Sequence, residues 1–226
     1  AASTDRGKVR SENEDAFLAT GKIFAVADGM GGHLAGEVAS ATALKIFKDQ
    51  IERGRGSTNK NLIVQSIQKA NQAVYQKAIG EPGQRGMGTT LTAMILKNQK
   101  YLIGHIGDSR AYLFRKDKLR RLTEDHALVA EMVREGKIPP EEAAGHPLRN
   151  VLTRALGVEP ELEVDLIVRD QLAGDKILLC TDGLNAMLDD EQIERIIARE
   201  ANPGDICQEL IRTANAKGGS DNVTVV

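Results

Sequence analysis

Hydrophobic positions along the chain change their period several times, and each change marks an element. Residues 16–27 (AFLATGKIFAVA) read as two short strands joined at Gly21 and Lys22. Over residues 35–53, Val38, Ala41, Leu44, Ile46 and Phe47 recur at about the 3.6-residue period of a helix. Over 59–79, Leu62, Ile63, Ile67, Ala70 and Val74 do the same. Residues 80–88 hold four glycines and a proline and predict a loop. Strand-like runs follow at 89–96, 101–106 and 110–114. From 124 to 156 the texture changes, with many charges and short helical pieces around Pro139, Pro140 and Pro147. Strands resume at 163–168 and 176–181, helices at 190–199 and 205–216, and a last strand at 222–226.

Helices in this order fall in adjacent pairs, without the strict alternation of a doubly wound parallel sheet. The expected class is α+β, with mostly antiparallel sheets covered by helix pairs. No repeat or linker divides the chain, so a single domain over residues 1–226 is expected, with an excursion at about 125–156.

Composition narrows the function. The 226 residues are 41% hydrophobic but only 3% aromatic, so the core must rest on aliphatic side chains. A formal net charge of −2 carries no basic excess of the kind that neutralises nucleic-acid phosphates, and no nucleic-acid partner is expected. Cys180 and Cys207 make neither a disulfide framework nor a four-ligand zinc site, and Cys180 reads as a buried thiol. The apolar runs are too short for a bilayer, and the amino terminus lacks the pattern of a secretory signal. A cytoplasmic monomer without membrane association is the expectation.

The candidate chemistry lies in acids at the ends of apolar runs. Asp28 and Asp182 each precede a glycine, Asp108 follows Gly107, Asp221 stands before the last strand, and Glu14 and Asp15 stand before the first predicted one. A lone Asp-Gly pair reads as a hairpin turn, which suits Gly107-Asp108 because a strand follows it. It suits Asp28 and Asp182 badly, since helical segments follow. Were these edges to converge, the carboxylates would repel, and divalent cations would relieve the cost. All-oxygen ligation suits Mg²⁺ or Mn²⁺ rather than Zn²⁺, and the Gly29 carbonyl could approach an ion unobstructed. Water between two such cations is a nucleophile for in-line attack on phosphorus. Arg10 is the candidate for gripping an anionic substrate. Gly86-Met87-Gly88-Thr89-Thr90 is not a phosphate loop, because no Lys follows in the required spacing. His105, inside a strand, reads as a core histidine, and His126 and His146 as structural.

Together these segments resemble the metal-dependent protein phosphatases, the protein phosphatase 2C family, and most of all its bacterial serine/threonine members. The matching pieces are Thr4-Asp5-Arg6-Gly7, Arg10, Asn13-Glu14-Asp15, then Val26-Ala27-Asp28-Gly29-Met30-Gly31-Gly32-His33 and Gly36-Glu37. Further on come Gly88-Thr89-Thr90, Gly107-Asp108-Ser109-Arg110, Thr123-Glu124-Asp125-His126, Thr181-Asp182-Gly183-Leu184 and Ser220-Asp221-Asn222-Val223-Thr224. They run in the family's order over essentially the whole chain. The resemblance implies a four-layer α-β-β-α sandwich, a single phosphatase catalytic domain, and metal-dependent hydrolysis of phosphoserine and phosphothreonine in proteins. It implies two core ions, Mn²⁺ or Mg²⁺, held by Asp28, Gly29, Asp182 and Asp221, and a weaker third at Asp108 with Asp182. Glu14 resembles the outer acid that orients metal-bound water, and Asp15 a neighbouring acid one layer behind the ligands. Arg10 resembles the phosphate-binding arginine and His33 a histidine implicated in substrate handling or in protonating the leaving group. Residues 125–156 resemble the flap beside the cleft. A phosphorylated protein substrate and a cognate serine/threonine kinase are the implied partners. Two other readings stay open on residues alone, a non-catalytic binding domain and a hydrolase of small phosphoesters.

Overall fold

Strand β1 (Ser3–Asp5) leads through a loop to a hairpin of β2 (Asp15–Thr20) and β3 (Ile23–Met30). The structure, a computed structural model, describes residues 1–32, 35–54, 61–143 and 145–226. Helices α1 (Ala35–Arg53) and α2 (Leu62–Gly80) follow, then β4 (Gly88–Thr89), β5 (Leu91–Lys97) and β6 (Lys100–Ile106). Next come β7 (Arg110–Arg115) and β8 (Lys118–Arg121), and an excursion carrying α3 (Leu128–Arg134) and α4 (Pro140–Ala143). The chain finishes with β9 (Asp165–Asp170), β10 (Lys176–Cys180), α5 (Asp182–Asn185), α6 (Asp190–Arg199), α7 (Pro203–Ala216) and β11 (Val223–Val225).

Two antiparallel sheets result, one in the order β2-β3-β5-β6-β9 with β4 paired to β3, the other β1-β11-β10-β7-β8. Three apolar layers hold the four structural ones together. Ala39, Ala43, Phe47, Ile63, Ile67 and Val74 seat α1 and α2 on the first sheet. Leu184, Ile193, Ile197, Leu210 and Ala214 seat α5, α6 and α7 on Tyr112, Leu178 and Val223 of the second. Between the sheets lie Val26, Met94, Ile103, Ala111 and Leu179. Each fully buried large aliphatic side chain contributes about 1.5–3 kcal/mol, so these layers supply the cohesion that scarce aromatics cannot. Helix α2 comes close because β6 has Gly104 under it, where a Cβ would stand 2.4 Å from Ile67 Cδ1.

The α+β sandwich and the paired helices agree with the sequence pattern, and α1 spans the predicted residues. The predicted start of α2 at 59 lies outside the described residues. Strands β1 and β8 were not foreseen, and the run predicted at 89–96 divides into β4 and β5. Strand β8 hides behind a two-residue turn in which Lys116 (φ +53) and Asp117 (φ +58) take the left-handed conformation without glycine. The hairpin turn that Gly107-Asp108 would suit as a lone pair does not form. Strand β6 belongs to the first sheet and β7 to the second, so this step carries the chain between layers. Nor does a helix directly follow Asp28, because β3 runs on to Met30.

Candidate active site

Where the two sheets meet, Arg10, Glu14, Asp28, Gly29, Thr90, Asp108, Asp182 and Asp221 line one cleft of about 210 Å³. Asn150 and Leu152 of the 125–156 excursion close its side. That segment is fastened nearby: Leu156 exchanges backbone hydrogen bonds with Thr89, and the Thr153 N–H donates to the His126 carbonyl at 2.9 Å.

Each acid is fixed by its backbone. The Asp28 N–H donates to Thr90 Oγ1 at 2.9 Å, while the Asp28 carbonyl accepts from the Thr90 N–H and the Thr89 hydroxyl, each at 2.9 Å. The Gly29 N–H donates to the Glu14 carbonyl at 3.2 Å. A Cβ at Gly29 would stand 2.1 Å from the Gly36 carbonyl oxygen, and one at Gly36 would stand 2.6 Å from the Glu14 carboxyl carbon. These two glycines therefore let α1 close against the Glu14 carboxylate. Gly107 (φ +102) turns the chain between sheets under Asp108, and the next residue, Ser109, meets Thr90 hydroxyl to hydroxyl at 2.8 Å. Asp182 opens α5, and Asp221 accepts from the Asn222 N–H at 2.8 Å and from Arg10 Nη2 at 2.7 Å.

Electrostatically the cleft is strained. Burial, then the charges of Asp15, Asp182 and Asp108, holds the Asp28 carboxyl well above its ordinary range. Burial and the Asp182 charge push Asp108 up to about 8. Asp15, buried beneath the cleft, is pushed up to about 7 by burial despite a 2.8 Å hydrogen bond from the Thr181 hydroxyl. Asp182 is raised by burial and by Asp221, and Glu14 by burial. Asp15 Oδ1 and Asp182 Oδ1 are buried with no hydrogen-bond partner. Among the described residues, no group of three or more His, Cys, Asp or Glu side chains is preassembled around a cation. A site using one or two carboxylates per ion, completed by a carbonyl and water, does not require such a cage.

The structure thus brings together Arg10, Glu14, Asp28, Gly29, Asp108, Asp182 and Asp221, with Asp15 below them. His33 lies outside the described residues. Sequence reasoning missed Thr90, Thr181 and Asn222, which hold the acids, and Asn150 and Leu152 at the rim. His105 is a core residue as read, its Nε2–H donating to the Glu124 carbonyl at 2.8 Å and its Nδ1 facing Thr92 Oγ1 at 2.9 Å. His126 is also buried, with the Gly107 N–H donating to its Nδ1 at 3.1 Å. Both cysteines are free and buried, and no helix among the described residues is long and apolar enough to cross a membrane.

Residues 5–218 match the family model for protein phosphatase 2C. The serine/threonine phosphatase Stp of Listeria innocua is 40% identical over 99% of this chain and 92% of its own length. The serine/threonine protein phosphatase PstP of Mycobacterium tuberculosis is 41% identical over the whole chain, which spans 44% of that longer protein. Its crystal structure superposes with a TM-score of 0.93 at 40% identity, covering 100% of this chain and 95% of that one. The PstP catalytic domain in complex with two manganese ions gives 0.91 at 39% identity, covering 100% and 94%. The chain belongs to the protein phosphatase 2C family and is a serine/threonine protein phosphatase.

Proposed function

We propose that this phosphatase works with divalent cations, Mn²⁺ or Mg²⁺, two of them held by Asp28, the Gly29 carbonyl, Asp182 and Asp221. Asp108 with Asp182 would hold a weaker third. The observation that carries the reading is the pair of buried, unpartnered oxygens, Asp182 Oδ1 at the cleft and Asp15 Oδ1 beneath it, among acids that burial and repulsion hold above their ordinary range. Hard cations with oxygen ligands are what such a cluster fits, and the manganese ions of the related PstP structure support the same choice. When bound, the ions would neutralise the aspartates and lower the pKa of a water so that it attacks phosphorus at neutral pH.

The chain's own residues do the rest. Arg10 offers a guanidinium fork that matches two phosphoryl oxygens. Glu14 in the cleft wall orients the attacking water, and Asp15 supports the cluster from below. His33 protonates the leaving alkoxide, work suited to a group titrating near neutrality. Residues 1–226 act as one catalytic domain and as a monomer, with residues 125–156 as a flap beside the cleft. The substrates are phosphorylated cytoplasmic proteins, and the enzyme reverses a bacterial serine/threonine kinase.

Hydrolysis of a phosphothreonine peptide, with millimolar Mn²⁺ and with excess chelator, tests the core of this. Release of phosphate that chelator abolishes and Mn²⁺ restores is expected; release unaffected by chelator would rule out the cation centre. For His33, His33→Ala should cost at least tenfold in kcat on the phosphothreonine peptide and little on p-nitrophenyl phosphate, whose leaving group needs no proton. Equal losses on both would remove His33 from that role.

A further inference from the structure

The loop of residues 6–14 carries Arg10 and Glu14, yet no sheet ladder holds it between β1 and β2. Asn222, only 6% exposed, takes that place. Its Nδ2 donates to the carbonyls of Arg6 at 3.0 Å and Glu12 at 2.8 Å, and its Oδ1 accepts from the Glu14 N–H at 2.9 Å. The amide's two protons and its oxygen are thus all spent on one loop, at both of its ends. The backbone N–H of the same residue donates to Asp221 Oδ1 at 2.8 Å. One residue therefore fixes the Asp221 carboxylate with its main chain and the Arg10 loop with its side chain, and Arg10 Nη2 meets Asp221 Oδ2 at 2.7 Å across the gap.

We propose that Asn222 is a positioning residue for phosphate recognition, setting where Arg10 stands relative to Asp221 and Asp182. The inference rests on Arg10 gripping phosphate, as proposed above, and assigns a role to the residue that follows the aspartate in Ser220-Asp221-Asn222. Two neighbouring contacts fit a loop seated on this turn. The Lys8 N–H donates to the Gly219 carbonyl at 2.8 Å, and at Gly7 (φ +77) a Cβ would stand 2.2 Å from the Asp221 carbonyl oxygen. In Asn222→Ala two carbonyls and an N–H lose their buried partners. In Asn222→Asp the acceptor for Glu14 survives, but a carboxylate is set against the carbonyls of Arg6 and Glu12.

Hydrogen–deuterium exchange across residues 6–14 of the metal-free protein, and calorimetric affinity of the Mn²⁺-loaded protein for inorganic phosphate, test this together. Faster exchange at 6–14 is expected in Asn222→Ala and Asn222→Asp, together with a loss of phosphate affinity of about tenfold. Arg10→Ala should lose a similar factor, and Arg10→Ala with Asn222→Ala should lose no more than Arg10→Ala alone, because one acts through the other. Losses that multiply in the double variant, or normal phosphate affinity in Asn222→Asp, would overturn the proposal. Normal affinity in Arg10→Ala would instead overturn the assignment of Arg10 itself. If Asn222→Ala fails to fold, Asn222→Asp, nearly identical in shape, carries the test.

Discussion

A single carboxylate, in the role proposed for Asp182, would serve chemistry against stability. Asp182 is raised by burial and by Asp221, and its Oδ1 has no partner. Removing the charge should relieve the fold while emptying the function. In Asp28→Asn and in Asp182→Asn, turnover should fall by about a thousandfold or more. The metal-free melting temperature should rise by about 2–4 °C, the shift for roughly 1 kcal/mol in a domain of this size. Calorimetry beside phosphopeptide kinetics checks both, and near-normal turnover would contradict the metal centre. Gly36→Ala tests the wall rather than the ligands, since its Cβ must displace the Glu14 carboxyl. It should cut kcat by about tenfold or more while the protein stays folded, and wild-type kcat would show that Glu14 can shift without penalty. The acids themselves were legible, because an apolar run ending in Asp beside Gly is a local signal. Their holders were not. Thr181 bonds to Asp15 across 166 positions and Asn222 to Glu14 across 208, and no spacing in the sequence announces such a pair.

At the scale of elements, periodicity found the long helices and the buried strands and failed on short polar ones. Strand β8 reads Lys-Leu-Arg-Arg at a sheet edge, with too few apolar positions to alternate. Strand β6 carries a pH dependence of its own. Burial, with His126 beside it at a ring-to-ring distance of 4.7 Å, lowers the His105 pKa to about 4. The unfolded chain takes up this proton below about 6.5, whereas the folded chain does so only near 4. Between those values the unfolded state binds more protons at this site, so the contribution of His105 to stability falls as the pH drops from about 6.5 to 4 and is level above that window, while the raised carboxyls of Asp15, Asp28 and Asp108 act with the opposite sign. His126, also lowered by burial, adds to the slope. The urea midpoint of the wild type should lose ground relative to that of His105→Asn as the pH drops from about 6.5 to 4, and a difference that stays constant across this range would exclude His105 as a source.

For the whole molecule, the helix pairing implied antiparallel sheets covered by helices and the family resemblance a four-layer sandwich, but neither said which strand joins which sheet. At Gly107-Asp108 the residues left a hairpin turn and a convergent acid both open, because a turn and a crossing between sheets look alike in sequence. Function also sits at this scale, since no one layer owns the cleft. Asp28 and Gly29 come from the first sheet, Asp182 and Asp221 from the ends of strands in the second. Cations that bind only the assembled cleft should stabilise the fold by about 2.7 kcal/mol at a hundred times their dissociation constant. A Mn²⁺ titration followed by melting checks this, and a melting temperature independent of Mn²⁺ would contradict it.

The crossing at Gly107 gives the sandwich a mechanical property. The ladders run within each sheet, so only the apolar layer and a few side-chain bonds, such as the Thr181 hydroxyl on Asp15 and Arg115 on the Asp170 carbonyl, oppose sliding of one slab on the other. The ligand set proposed above, drawn from both slabs, would act as a rivet between them. A displacement of a few tenths of an ångström between sheets, far from any reacting atom, would then be felt as a change in how firmly the cleft grips its ions.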